Sequence, residues 1–218
     1  MYAVYHGSSG IKRIAYRVHA FTQLLKQRVE SFGCEVMNGA AFFDTLTIDV
    51  GSAGLSVDVV HRIAVDMGIN LRKVDERRVG VTLDESVTTL DLVDLINIFA
   101  LASGSSPVTP ATLVVPEKAS LKFPSTLMRA SKYLHHPVFN THHSETEMLR
   151  YLHHLQAKDL SLVHAMIPLG SCTMKLNSTS SMIPLTWPEF STIHPFVPVE
   201  QAKGYAQIVK VSDSIHGV

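Results

Sequence analysis

The densest grouping of reactive side chains lies between His164 and Asn177. Gly170 lets the backbone turn tightly or come close to a ligand. Ser171, Cys172, Thr173, Lys175 and Asn177 follow it in one short segment. Two hydroxyls, a thiol, an ammonium and an amide make a donor set able to hold a carboxylate or a phosphate. The competing reading is a polar loop whose side chains satisfy their own backbone. Composition alone favours that second reading, since loops carry sites only where a scaffold positions them. Cys172 as a nucleophile needs a base in contact and a lowered pKa. His164 is near it in sequence, which does not establish contact. Lys175 as a Schiff-base former needs a desolvated pocket, and nothing local supplies one.

Twelve histidines invite a metal reading. The adjacent pairs His135-His136, His142-His143 and His153-His154 argue against it, because neighbouring side chains point apart on strands and helices alike. No H-E-x-x-H is present, so these are read as ordinary surface or capping histidines and no metal site is expected. Walker A, G-x-G-x-x-G and G-x-S-x-G patterns are also missing from the sequence. Cys34 and Cys172 cannot build a disulfide framework and read as free thiols of a reducing compartment.

The elements that must position such residues have ordinary globular chemistry. Of 218 residues, 46% are hydrophobic and 17% charged, which excludes a disordered chain. Twelve glycines and ten prolines exclude a collagen-like one. Nineteen basic and nineteen acidic side chains leave no phosphate-neutralising footprint, so no nucleic-acid partner is expected. No apolar run approaches the roughly 18 residues of a membrane span, and the start has no signal-peptide pattern. The chain reads as opening inside a domain.

Apolar spacing predicts a helix from Ile11 to Phe32, capped by Ser8 or Ser9 and stopped by Gly33. Phe42 to Val50 reads as a strand with Leu46, Ile48 and Val50 inward. Val57, Val60, Ala64 and Met67 mark a second helix ended by Gly68. Ile69–Val74 and Arg78–Leu83 read as short strands about a charged turn. Thr88 and Asp91 cap a third helix striped by Leu92, Leu95, Ile96 and Phe99. This order is an α/β unit over residues 1–102. Residues 103–143, with their prolines, read as a linker and irregular connection. Residues 144–218 begin with a capping box at Ser144–Glu147 and a helix striped by Met148, Leu152 and Leu155, then become loop-rich.

Met1–Gly7, Phe42–Leu46, Gly80–Glu85 and His136–Asn140 resemble stretches of glycine decarboxylase, the P-protein of the glycine cleavage system. Tyr151–Asn177, Thr186–Phe190 and His194–Phe196 are further such stretches, and the similarity runs in one register from Met1 to about Gln207. The family is longer than this chain and has two homologous halves, each resembling a fold-type I pyridoxal-phosphate enzyme. The resemblance therefore implies an internal fragment. It would hold the α/β small domain closing the amino-terminal half, then a loop-rich linker segment leading into a second half that is missing here. The final residues Val209–Val218 depart from the family's amphipathic helix, which suggests a truncated gene model or alternative transcript.

By resemblance the reaction is glycine decarboxylation. The aminomethyl group then passes to the lipoyl arm of the H-protein. Pyridoxal phosphate is the implied cofactor, and a homodimer is implied for the full-length enzyme. The family's Schiff-base lysine sits in a His-Lys-Thr context, and no His-Lys dipeptide occurs here, so no catalytic residue is carried over. Ser171, Cys172, Thr173, Lys175 and Asn177 are the expected wall of the substrate or cofactor pocket. The chain alone is expected to be inactive; the alternative is a non-catalytic interaction fragment. Eukaryotic members are mitochondrial-matrix proteins and bacterial ones cytoplasmic, and any transit peptide would precede this chain.

Overall fold

The computed structural model describes residues 1–39, 41–113, 125–160, 166 and 178–216. They divide into two compact units, Met1–Asp159 and Leu160–Val218.

The first unit is built on helix α1, Tyr2–Ser31. Val18, Leu25 and Val29 of the expected stripe are buried, and Phe21 joins them. Thr22, the neutral gap in that stripe, is also buried and donates its hydroxyl to the Val18 carbonyl (2.9 Å). The helix reaches back past its expected start at Ile11, crossing a break at Gly7 (φ 62°, ψ −176°). Beyond Ser31, Gly33 takes φ 88°, the left-handed stop expected there.

Four strands form one antiparallel sheet: β1 Glu35–Val36, β2 Thr45–Asp49, β3 Arg72–Lys73 and β4 Arg78–Thr82, in the order β1-β2-β4-β3. The register places Leu46 opposite Val81 and Ile48 opposite Val79. All four are buried, so alternation selects this face for the core. The outer face pairs Thr45 with Thr82, whose hydroxyl oxygens lie 3.1 Å apart, and Asp49 with Arg78. Phe42 and Phe43, expected to open β2, precede it; Phe43 instead stacks on the buried His19 ring (5.9 Å).

Helix α2, Val57–Asp66, buries Val57, Val60 and Ala64 and ends before Gly68 at φ 75°. Helix α3, Thr89–Ala102, is capped reciprocally. The Thr88 hydroxyl accepts from the Asp91 N–H (3.3 Å), and the Asp91 carboxylate accepts from the Thr88 N–H (2.7 Å). Seven residues of α3 are buried, not only the predicted stripe, because α1 and α2 both pack on it. Phe99, Ile96, Leu25, Leu46 and Ile48 form the fully enclosed centre. Each such side chain contributes about 1.5–3 kcal/mol by leaving water.

After α3, Asn97 ties the chain down by accepting from the Val108 N–H (2.7 Å) and donating to the Val108 carbonyl (3.0 Å). A turn at Pro137–Asn140 precedes α4, Glu145–Gln156. The Ser144 hydroxyl accepts from the Glu147 N–H (3.3 Å) as expected. The return arm of that capping box is replaced, since the Glu147 carboxylate pairs with Arg150 (3.6 Å). The predicted stripe of α4 is not buried: Leu152 is exposed and no residue of the helix is enclosed.

The second unit contains α5 Thr179–Met182, α6 Pro188–Ser191 and α7 Lys203–His216. Its described residues bury nothing. Tyr205 donates its hydroxyl to the Phe190 carbonyl (2.7 Å) and packs edge-on to that ring. Helix α7 runs on past Val209 to His216. A mixture of helices with one small antiparallel sheet is thus the observed architecture, of α/β type.

Candidate binding site

The five residues expected as a pocket wall, Ser171, Cys172, Thr173, Lys175 and Asn177, lie outside the described residues, as does His164. The described residues form a different concavity, of about 1060 Å³, within the first unit. One wall is the Ser8–Tyr16 stretch of α1 and the other is the strap from Leu127 to His135. Phe43 and Asn140 complete the lining.

Local bonds hold that strap. Tyr133 donates its hydroxyl to the Ser8 carbonyl (2.8 Å), joining positions 125 residues apart. Leu134 takes φ 56°, a left-handed conformation unusual for a residue with a branched side chain. Asn140 stabilises it by donating to the carbonyls of Leu134 and His136 (3.0 Å each). Further along, His143 bonds the Tyr5 carbonyl through Nδ1 (2.6 Å). That contact brings the chain against Gly7, where a Cβ would meet the Phe139 oxygen at 2.8 Å.

Among the described residues the lining carries Lys12, Arg129 and Lys132 and no aspartate or glutamate. The Arg129 guanidinium sits 5.4 Å from the Tyr133 ring centre and donates to the Ser131 hydroxyl (3.2 Å). The Lys12 ammonium sits 5.6 Å from the Tyr16 ring centre. Each ring face attracts its cation. In sequence Lys12 belongs to the helix expected from Ile11 to Phe32, and Arg129 and Lys132 to the irregular connection over 103–143; only the fold juxtaposes them. Arg17, exposed on the same helix, donates to the carbonyls of Glu85 (2.9 Å) and Val87 (2.7 Å).

Of the other candidates, Cys34 is buried. Burial, with the Asp49 charge second, pushes its thiol up to about 11. His136 accepts from the Val138 N–H (3.2 Å) and His194 from the Phe196 N–H (3.0 Å), both as local caps. His142 stacks on Tyr151 at 4.2 Å.

A Schiff-base lysine must be desolvated so that its amine is neutral. No described lysine is buried. Lys73 is bound to Asp58 (3.1 Å), and that hydrogen bond raises its pKa. Lys26 is paired with Glu30. The described residues therefore do not fit covalent attachment of pyridoxal phosphate.

Comparison with known proteins supplies what the geometry does not. Residues 1–99 match the family described as glycine cleavage system P-protein. A Schizosaccharomyces pombe protein assigned as a mitochondrial glycine dehydrogenase (decarboxylating) is 48% identical over 96% of this chain. The glycine dehydrogenase (decarboxylating) of Cupriavidus metallidurans is 51% identical over 96% of it. The chain spans about a fifth (21%) of the length of each. The resemblance read from the motifs is thus matched over nearly the whole chain, which is similar to part of a glycine dehydrogenase (decarboxylating), and its first 99 residues match the glycine cleavage system P-protein family.

Proposed function

We propose that this chain contributes to a glycine decarboxylase of the glycine cleavage system. The observation that carries this reading is identity of about half the residues over 96% of the chain to two glycine dehydrogenases (decarboxylating). In that reading residues 1–102 are the small domain of a fold-type I half, 103–143 the connection, and 144–218 the opening of the second half. The complete enzyme releases the carboxyl group of glycine as carbon dioxide. It then passes the aminomethyl group to the lipoyl arm of the H-protein. Pyridoxal phosphate supplies an electron sink when bound.

The segment Ser171–Asn177 contributes to the pocket wall in this proposal. Ser171 and Thr173 donate hydrogen bonds, and Lys175 places positive charge beside a carboxylate or phosphate. Full-length enzyme carrying Lys175→Ala tests it. Weakened glycine binding or slowed turnover is expected; both unchanged would reject the role of Lys175.

The 218 residues alone are proposed not to turn glycine over, because the family's His-Lys context does not occur in them. Purified chain mixed with pyridoxal phosphate and borohydride should give no adduct at a single defined lysine. Such an adduct overturns the proposal. The location in this reading is the mitochondrial matrix in a eukaryote and the cytoplasm in a bacterium.

A non-catalytic docking role is the second reading. It is favoured by apolar side chains left in water on α4 (Leu149, Leu152) and α7 (Ile208, Val209, Val211). Co-purification with the full-length enzyme supports it, and a chain that never co-purifies removes it.

A further inference from the structure

We propose that the groove between α1 and the Leu127–His135 strap binds a small organic anion, one phosphate or carboxylate group on an apolar or aromatic body. The first argument is charge. The whole chain is balanced at 19 basic and 19 acidic residues, yet among the described residues the lining has Lys12, Arg129 and Lys132 and no acid. None of the three belongs to an ion pair among the described residues. A local cationic cluster in a balanced chain suits a single anionic group better than a polyanion.

The second argument is placement. The tyrosine faces under Lys12 and Arg129 restrict where those cations sit. A guanidinium can hold two oxygens of one anion while an ammonium adds a point charge. Ser8, Ser9 and Ser131 line the same space.

The third argument is the body of the ligand. Ile11, Ala15, Phe43 and Met128 give the groove apolar wall, and its volume of about 1060 Å³ lies at the upper end for small-molecule sites. The strap that forms its second wall is fastened by the Tyr133–Ser8 bond and contains the left-handed Leu134. Unfavourable backbone conformations persist where surrounding contacts over-determine them.

The test is calorimetric titration of the full chain at low salt with phenyl phosphate, benzoate, phenol and inorganic phosphate. Saturable one-to-one binding is expected for phenyl phosphate or benzoate, and the tighter of the two identifies the anionic group. Inorganic phosphate should bind about tenfold more weakly, and phenol not measurably. Lys12→Gln combined with Arg129→Gln should weaken the better ligand about tenfold, as should Lys132→Gln with Arg129→Gln. The replaced side chains are exposed, so unchanged circular dichroism is expected of both variants. Absence of binding by both aromatic anions at millimolar concentration overturns the proposal. So does equal affinity in wild type and both folded variants, or inorganic phosphate binding as tightly as either.

Discussion

Gly7 faces the carbonyl of Phe139 across 132 positions of sequence, with room there for a hydrogen and no more. A Cβ would lie 2.8 Å from that oxygen and 2.9 Å from the His143 ring. The backbone at φ 62°, ψ −176° is also a region that only glycine adopts freely. Gly7→Ala should therefore cost about 1–3 kcal/mol from backbone conformation, with the contact adding to it. Urea denaturation reads this as a lower midpoint; an unchanged midpoint would show that the α1 start and the 137–143 segment are not fitted together.

The cap of α3 should be worth measuring on its own. Thr88→Ala removes an acceptor for the Asp91 N–H and a donor to the Asp91 carboxylate, at a cost of about 1 kcal/mol. The same change should raise the Asp91 pKa, which the Thr88 hydroxyl bond now lowers most, with the Thr88 N–H second. Carboxylate titration by NMR in the variant checks it, and an Asp91 titration identical to wild type contradicts the bond.

Acid should act on the β3–β4 turn. Asp75 is held down to about 2, chiefly by the Arg78 side chain and then by the Arg77 N–H. A carboxylate with a depressed folded pKa stabilises fully above its unfolded value of 3.8. That contribution falls away as pH drops from about 4 toward 2. Urea midpoints measured across this window should decline less steeply in Asp75→Asn than in wild type. Parallel declines would remove Asp75 from the acid response.

Cys34 should be inert in the folded chain. At 4% exposure and a thiol pKa of about 11, little thiolate exists near neutral pH. In a Cys172→Ser background, Ellman's reagent at pH 8 should react at least ~100-fold more slowly with native than with urea-unfolded protein. Comparable rates would place the thiol at the surface.

The elements readable from sequence were those long enough to show a period. β2 alternates Leu46 and Ile48 against threonines, and α2 repeats Val57, Val60 and Ala64, so both announce their inner face. β1 has two residues and no period to read. The first turn of α1 lacks a stripe because it packs on the Pro137–Asn140 turn instead of the core. Helix α4 has a stripe that the described residues leave uncovered. The cationic groove was invisible for another reason: Lys12 and Arg129 become neighbours of one space only through the Tyr133–Ser8 bond and the left-handed Leu134. The Ser171–Asn177 grouping, prominent in sequence, falls outside the described residues.

The sheet ends on both sides in strands of two residues, β1 and β3. Fibril growth recruits new chains through a long row of unpaired peptide groups. Margins this short offer an arriving strand too few rungs to hold, so the edges of this sheet, as the described residues form it, are poor templates for its extension.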